Sequence, residues 1–280
     1  MTLITSSAKF LTLAAQEKIF QALKTFNDTI LFYYLGTLAL RNKGNIFEVG
    51  CGGSTNALYE LSDVYGRRLI LCDLKEVYLK QHLEFYPEID IKVLLKSSLE
   101  LTRADVGAIV YSHIDGSKHY DLCKPDLDFA IDNIADYGLI CQDDYGNNKW
   151  PTITNAVNEK VNEGRLKFVL IGDSSAWLTT PEFYDYWMNV LSSDREFNIL
   201  STYIGINESS KFLGYHTNYY YINSMKPHQE QYLIEGKTFS QKEIDYLLEL
   251  ETIRLNSKFY LKMPYSGQST PGQWISKLKA

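Results

Sequence analysis

The stretch "GNIFEVGCGGSTNALYEL", residues 44–61, runs a short apolar segment into a glycine-rich turn and then into apolar positions at helical spacing. This is the pattern of a strand, a tight turn and a helix, with Ser54 or Thr55 as the helix cap. The turn glycines are Gly50, Gly52 and Gly53. Glycine there lets the backbone reverse sharply and lets a ligand approach without a Cβ in the way. The dinucleotide fingerprint G-x-G-x-x-G is incomplete, because Thr55 stands at its last position.

Working outward, apolar strand-like runs recur at "RLILCDL" (68–74), "IDIKVLL" (89–95), "GAIVYSHID" (107–115), "YGLICQDD" (137–144), "LKFVLIG" (166–172) and "TNYYYINS" (217–224), with a less regular one near 198–206. Helical patterns at 76–84, 121–135 and 152–163 separate most of them. Strands alternating with helices predict βαβ units and an α/β fold on a mainly parallel sheet, whose strand C-termini form the ligand edge. Residues 8–41 predict two helices with a break at Asn27-Asp28, an N-terminal helical cap over 1–44. The core is expected at 45–225, with a lid insertion around 173–217 that includes the helical "TTPEFYDYWMNVLSS". A C-terminal helical extension occupies 226–280. The N-terminal pair serves either as a homodimer interface or as an active-site cap.

Composition narrows the function. The 280 residues are 45% hydrophobic and carry a net charge of −6, which speaks against a partner held by phosphate contacts, so no nucleic acid is expected. No apolar run approaches the roughly 20 residues that span a bilayer, and the N-terminus lacks a signal-peptide pattern. The four cysteines form no C-x-x-C pair, which argues against zinc and disulfides and for a reduced, cytoplasmic setting.

The second strand ends in Asp73, 23 residues after Gly50, where an acid can accept hydrogen bonds from both hydroxyls of a ribose. With this acid in place, "IFEVGCGG" followed by "LILCDL" resembles the class I S-adenosylmethionine-dependent methyltransferases. The resemblance implies a Rossmann-like methyltransferase fold with a seven-stranded sheet. It also implies that Glu48, Gly50, Gly52 and Gly53 line the methionine end of the cofactor, that Asp73 holds the ribose, and that Ser97 and Ser98 lie near the adenine.

Three further acids fall at the same edge. Asp115 ends the fourth strand, and Asp143 and Asp144 end the fifth, 28 residues later. Adjacent side chains on a regular strand face opposite ways, but once the chain turns away both acids can converge. Three carboxylates with waters and substrate oxygens suit Mg²⁺ or another divalent cation. The segment "HIDGSKHYDLCKPDLDFAIDNIADYGLICQDDYG" together with "TITNAV" resembles the metal-dependent small-molecule methyltransferases of the macrocin O-methyltransferase and cephalosporin-hydroxylase-like branch. That resemblance implies Asp115, Asp143 and Asp144 as metal ligands, with Asp115 also facing the cofactor. Many relatives carry IDG-S-H-S-Y, whereas here the frame is "IDGSKHY", so Lys118 takes the usual histidine position and His119 follows. Either is a candidate base for a substrate hydroxyl, and the ordinary pKa of histidine, near 6.5, favours His119. His113, within the strand, is expected in the core.

The expected activity is methyl transfer from S-adenosylmethionine to an oxygen of a small-molecule, natural-product or peptide-derived substrate. Vicinal oxygens suit chelation, and Trp177, Tyr184, Trp187 and Tyr215 are candidates to cover an apolar part of the substrate. Transfer to nitrogen or a carboxylate, a hydroxylase-like activity, an NAD-dependent oxidoreductase and a non-catalytic binding module are the alternatives.

Overall fold

The computed structural model describes residues 27–52, 54–76, 89–194, 197, 206–209 and 219–222. Gly53, most of the expected helix at 76–84, Tyr215, the start of the N-terminal cap and the C-terminal extension lie outside them.

The described strands are β1 (Asn45–Val49), β2 (Leu69–Asp73), β3 (Ile91–Leu95), β4 (Ile109–Ile114), β5 (Ile134–Asp143), β6 (Lys167–Ile171), β7 (Ser175–Thr179), β8 (Ile206–Ser209) and β9 (Tyr219–Ile222). They form one sheet in the order β3-β2-β1-β4-β5-β7-β6-β9-β8. Strands β1 to β5 pair in parallel, while β7 runs antiparallel between β5 and β6. The seven-stranded Rossmann-like sheet expected from the sequence is therefore present as β1–β7, and β9 and β8 extend it beyond β6.

The helices are α1 (Asn27–Ala39), α2 (Thr55–Tyr65), α3 (Tyr120–Asn133), α4 (Pro151–Asn162) and α5 (Tyr184–Ser193). Helix α1 opens the described residues, and α2 ends on Gly66, whose left-handed backbone suits a helix stop. Period-two alternation along the strands feeds a core on each face. Tyr111, Leu139, Cys141 and Trp177 pack with side chains of α1, α2 and α5. Ile114, Ile140, Ala176 and Leu178 pack with Leu127 and Ala130 of α3 and Val157 of α4. The result is a helix–sheet–helix sandwich. No helix among the described residues is long and apolar enough to cross a membrane.

One expectation fails here. Residues 175–179, placed in a lid by the sequence, are instead an inner strand with every residue buried. The rhythm of helical crossovers gives no warning of it, because a short turn sends the chain straight back, closed by a 2.7 Å bond from the Gly172 N–H to the Ser175 carbonyl. Trp177 and Trp187 are fully buried, and Tyr184 nearly so, which makes them core residues rather than a substrate cover. The Trp177 indole donates to the Tyr111 hydroxyl at 3.3 Å, and that hydroxyl donates to the Phe32 carbonyl of α1 at 2.8 Å. Trp177→Ala should therefore cost roughly 3–5 kcal/mol of stability, read as a lowered midpoint in urea unfolding.

Candidate active site at the carboxyl edge of the sheet

The strand order reverses between β1 and β4, and that switch point opens the crevice where ligands of open α/β sheets bind. The glycine turn leaves β1 on one side of it, and Asp115 follows β4 on the other. The two are in close contact. The Gly50 N–H bonds the Cys72 carbonyl at 2.9 Å, and the Asp115 N–H bonds the Val49 carbonyl at 2.8 Å. Gly50 has a φ of 82°, and a Cβ there would run into the Asp115 carbonyl and lie 2.8 Å from the Gly116 nitrogen. Only glycine satisfies both the conformation and the approach. A Cβ at Gly52 would meet nothing within 4 Å, so that side of the turn faces open space.

Glu48 was assigned to the cofactor, and the structure gives its carboxylate other work. It is fully buried and accepts hydrogen bonds from Ser54 Oγ at 2.8 Å and Thr55 Oγ1 at 2.6 Å. Its third partner is His113 Nδ1 at 3.0 Å. A buried carboxylate needs such partners, and these three tie the turn, the start of α2 and β4 together. Thr55, the residue that spoils the dinucleotide fingerprint, also accepts the Gly52 N–H through its hydroxyl at 2.9 Å. His113 is buried as expected, yet it is more than packing. Burial pulls its pKa down, but the bond to Glu48 and the charges of Glu48, Asp143 and Asp115 outweigh that and hold it above the ordinary value.

Asp73 ends β2, half-buried, with Oδ2 accepting the Cys51 N–H at 2.9 Å and Oδ1 accepting the Lys75 N–H at 2.7 Å. Each oxygen keeps a second acceptor site, so the carboxylate is braced against the turn and still able to take a ribose hydroxyl. Glycine turn, open space at Gly52 and braced acid together could hold a nucleoside.

Asp115, Asp143 and Asp144 offer carboxylate oxygens within 4.8 Å of one another. Asp144 has a φ of 58°, the left-handed conformation that aspartate tolerates better than most residues, and this turn brings both acids of the pair to one point. Ser175 Oγ donates to Asp143 at 3.1 Å and Asn147 Nδ2 to Asp144 at 2.8 Å. Burial and the Asp115 charge raise the pKa of Asp143, partly opposed by His113. Three hard oxygen donors at this spacing fit a divalent cation.

The two candidate bases part company. Lys118 reaches into the cluster, with its ammonium on Asp115 Oδ1 and on Asp144 Oδ2. Burial pulls its pKa down, but the bonds to the two acids prevail and raise it. His119 is exposed at the start of α3, with its backbone N–H on Ser117 Oγ at 3.2 Å.

Ser98, expected near an adenine, instead acts on Asp126 of α3, whose ionised form it favours. Asp126 is buried with its Oδ1 lacking any hydrogen-bond partner, and burial pushes its pKa from 3.8 to about 6. Nothing in the sequence sets it apart from the other acids of this helix, Asp121, Asp128 and Asp132.

No family model matches the sequence, and no curated protein does. Solved structures with a similar chain path include CalS11, a TDP-rhamnose 3'-O-methyltransferase of calicheamicin biosynthesis. It is 19% identical over 62% of this chain and 93% of that one, with a TM-score of 0.46. The O-methyltransferase NovP is 14% identical over 58% and 79% of the two chains, with a TM-score of 0.44. The Podospora anserina methyltransferase PaMTH1, bound to S-adenosylhomocysteine, is 14% identical over 60% and 87%, also at 0.44. Likeness at these TM-scores assigns neither fold nor activity; the fold rests on the strand order and the site on its own geometry.

Asp126 supplies a test of the local electrostatics. Well below pH 3.8 it is neutral in both the folded and the unfolded chain. Between its ordinary 3.8 and the folded value of about 6 the unfolded chain ionises first, so stability falls as pH rises through that window. Asp126→Asn should therefore stabilise the protein by roughly 1–3 kcal/mol at pH 7.5 and by almost nothing once the pH is well below 3.8, read from urea midpoints at the two ends of that range.

Proposed function

We propose that the chain is an S-adenosylmethionine-dependent O-methyltransferase that acts, with a divalent cation such as Mg²⁺, on a small molecule or natural product. The observation that carries this is the contact between the turn at Gly50 and the backbone of Asp115, which sets the glycine turn against an acid cluster. S-adenosylmethionine would supply an electrophilic methyl group. Asp73 would hold its ribose, and Gly50, Gly52 and Gly53 would leave room for its methionine end. Glu48 acts through Ser54, Thr55 and His113, keeping the turn in shape.

Asp115, Asp143 and Asp144 would hold the divalent cation, which when bound lowers the pKa of a coordinated hydroxyl and orients it. Orientation alone is worth several kcal/mol in a transfer between two bound groups, roughly 7 or more when the approach is in line. His119 takes the part of the base in this reading, because it is exposed and stands one residue from Lys118. Lys118 is engaged as an ammonium by two carboxylates and contributes charge. The acid cluster favours this reading over hydride transfer, which has no use for three convergent carboxylates.

The deciding test is calorimetric titration of the full chain with S-adenosylmethionine and with NAD⁺. S-adenosylmethionine should bind, and Asp73→Ala should weaken it about tenfold or more, the effect of losing a charged hydrogen-bond acceptor. Binding of NAD⁺ without S-adenosylmethionine would end the proposal.

A further inference from the structure

The loop that supplies Asp115 also supplies a cation. Lys118 lies three residues on, and its ammonium bonds Asp115 Oδ1 and sits 2.5 Å from Asp144 Oδ2. Its own loop is pinned to α4 by the Thr152 hydroxyl, which donates to the Lys118 carbonyl at 2.6 Å. The lysine side chain is mostly covered, at 20% exposed, so this is an inserted group and not a surface pair.

The position it fills is the one a dication needs. Oxygens of Asp115, Asp143 and Asp144 all lie within 4.8 Å of one another, and Mg²⁺ would draw its ligands to about 2.0–2.1 Å. An ammonium bonded to two of the same carboxylates competes with it for their oxygens. The charges also favour an exchange: one positive charge faces three negative ones, and a second unit of positive charge reduces the remaining repulsion.

We propose that Lys118 is the resident counter-cation of the acid cluster, and that a divalent cation enters only by displacing it. Loading the cluster then releases the Lys118 ammonium from Asp115 and Asp144, so metal occupancy and the position of this side chain are two states of one switch. The inference rests on the reading of the cluster as the reacting end of a methyltransferase, but its test does not use turnover.

The probe is Mn²⁺ alone, followed by its effect on water proton relaxation with the full chain. Lys118→Met should bind Mn²⁺ at least about tenfold more tightly than the native protein, whereas Lys118→Arg, which keeps the charge, should show no such gain. Equal or weaker binding by Lys118→Met, or no binding by either protein, overturns the proposal. A second measurement needs no variant. Acylation of lysine amines, mapped by mass spectrometry, should rise several-fold at Lys118 on saturation with Mn²⁺ and stay level at the exposed Lys149. Unchanged labelling of Lys118 in metal-saturated protein also overturns it. Titration of the same samples with S-adenosylmethionine keeps the two ideas separable: loss of nucleoside binding counts against the methyltransferase, and the Mn²⁺ results judge the exchange.

Discussion

Gly50 and Asp115 meet backbone to backbone at the switch point of the sheet, and most of the site depends on that approach. The turn after β1 cannot take its shape with a side chain at residue 50, because the conformation is left-handed and the space is already filled by the carbonyl of Asp115. In return the loop after β4 is fixed from below by the Val49 carbonyl. A pocket formed by one loop and an acid formed by the other are thus a single rigid unit, which is what transfer between two bound groups requires.

Around that contact the charges are arranged in two layers. The lower one is buried: Glu48 and His113 pair across adjacent strands, and the same carboxylate anchors Ser54 and Thr55. The upper one is reachable from solvent: Asp115, Asp143 and Asp144 gather around the Lys118 ammonium. His113 links the layers, since its raised pKa comes from charges in both. A fifth acid, Asp126, lies under the loop at Gly116 with an unsatisfied oxygen, where a Cβ on that glycine would be 2.9 Å from its Oδ2.

The parallel half of the sheet and the convergence of the three acids were legible in the sequence because both follow from short-range rules. Apolar runs bounded by turns mark the strands, and an Asp-Asp pair at a strand end converges only if one of them turns, as Asp144 does. Strand β7 was not legible, because Ser175–Thr179 is five residues with no turn signal that distinguishes a hairpin from the start of a lid. Glu48 was expected at the cofactor because the resemblance to the methyltransferases implied it. Its burial depends on Ser54, Thr55 and His113, and the last of these is 65 residues away. Lys118 and His119 differ by one position, and only the geometry of the loop decides which enters the cluster.

The most direct measurement is paired titration of Gly50→Ala with S-adenosylhomocysteine and with Mn²⁺, in protein whose circular dichroism matches the native spectrum. If the turn and the acid cluster are one unit, both affinities fall together, each by about tenfold or more, since the new Cβ must push residue 115 aside. Loss of nucleoside binding with native Mn²⁺ affinity would contradict the account, because it would mean that the two halves of the site are independent.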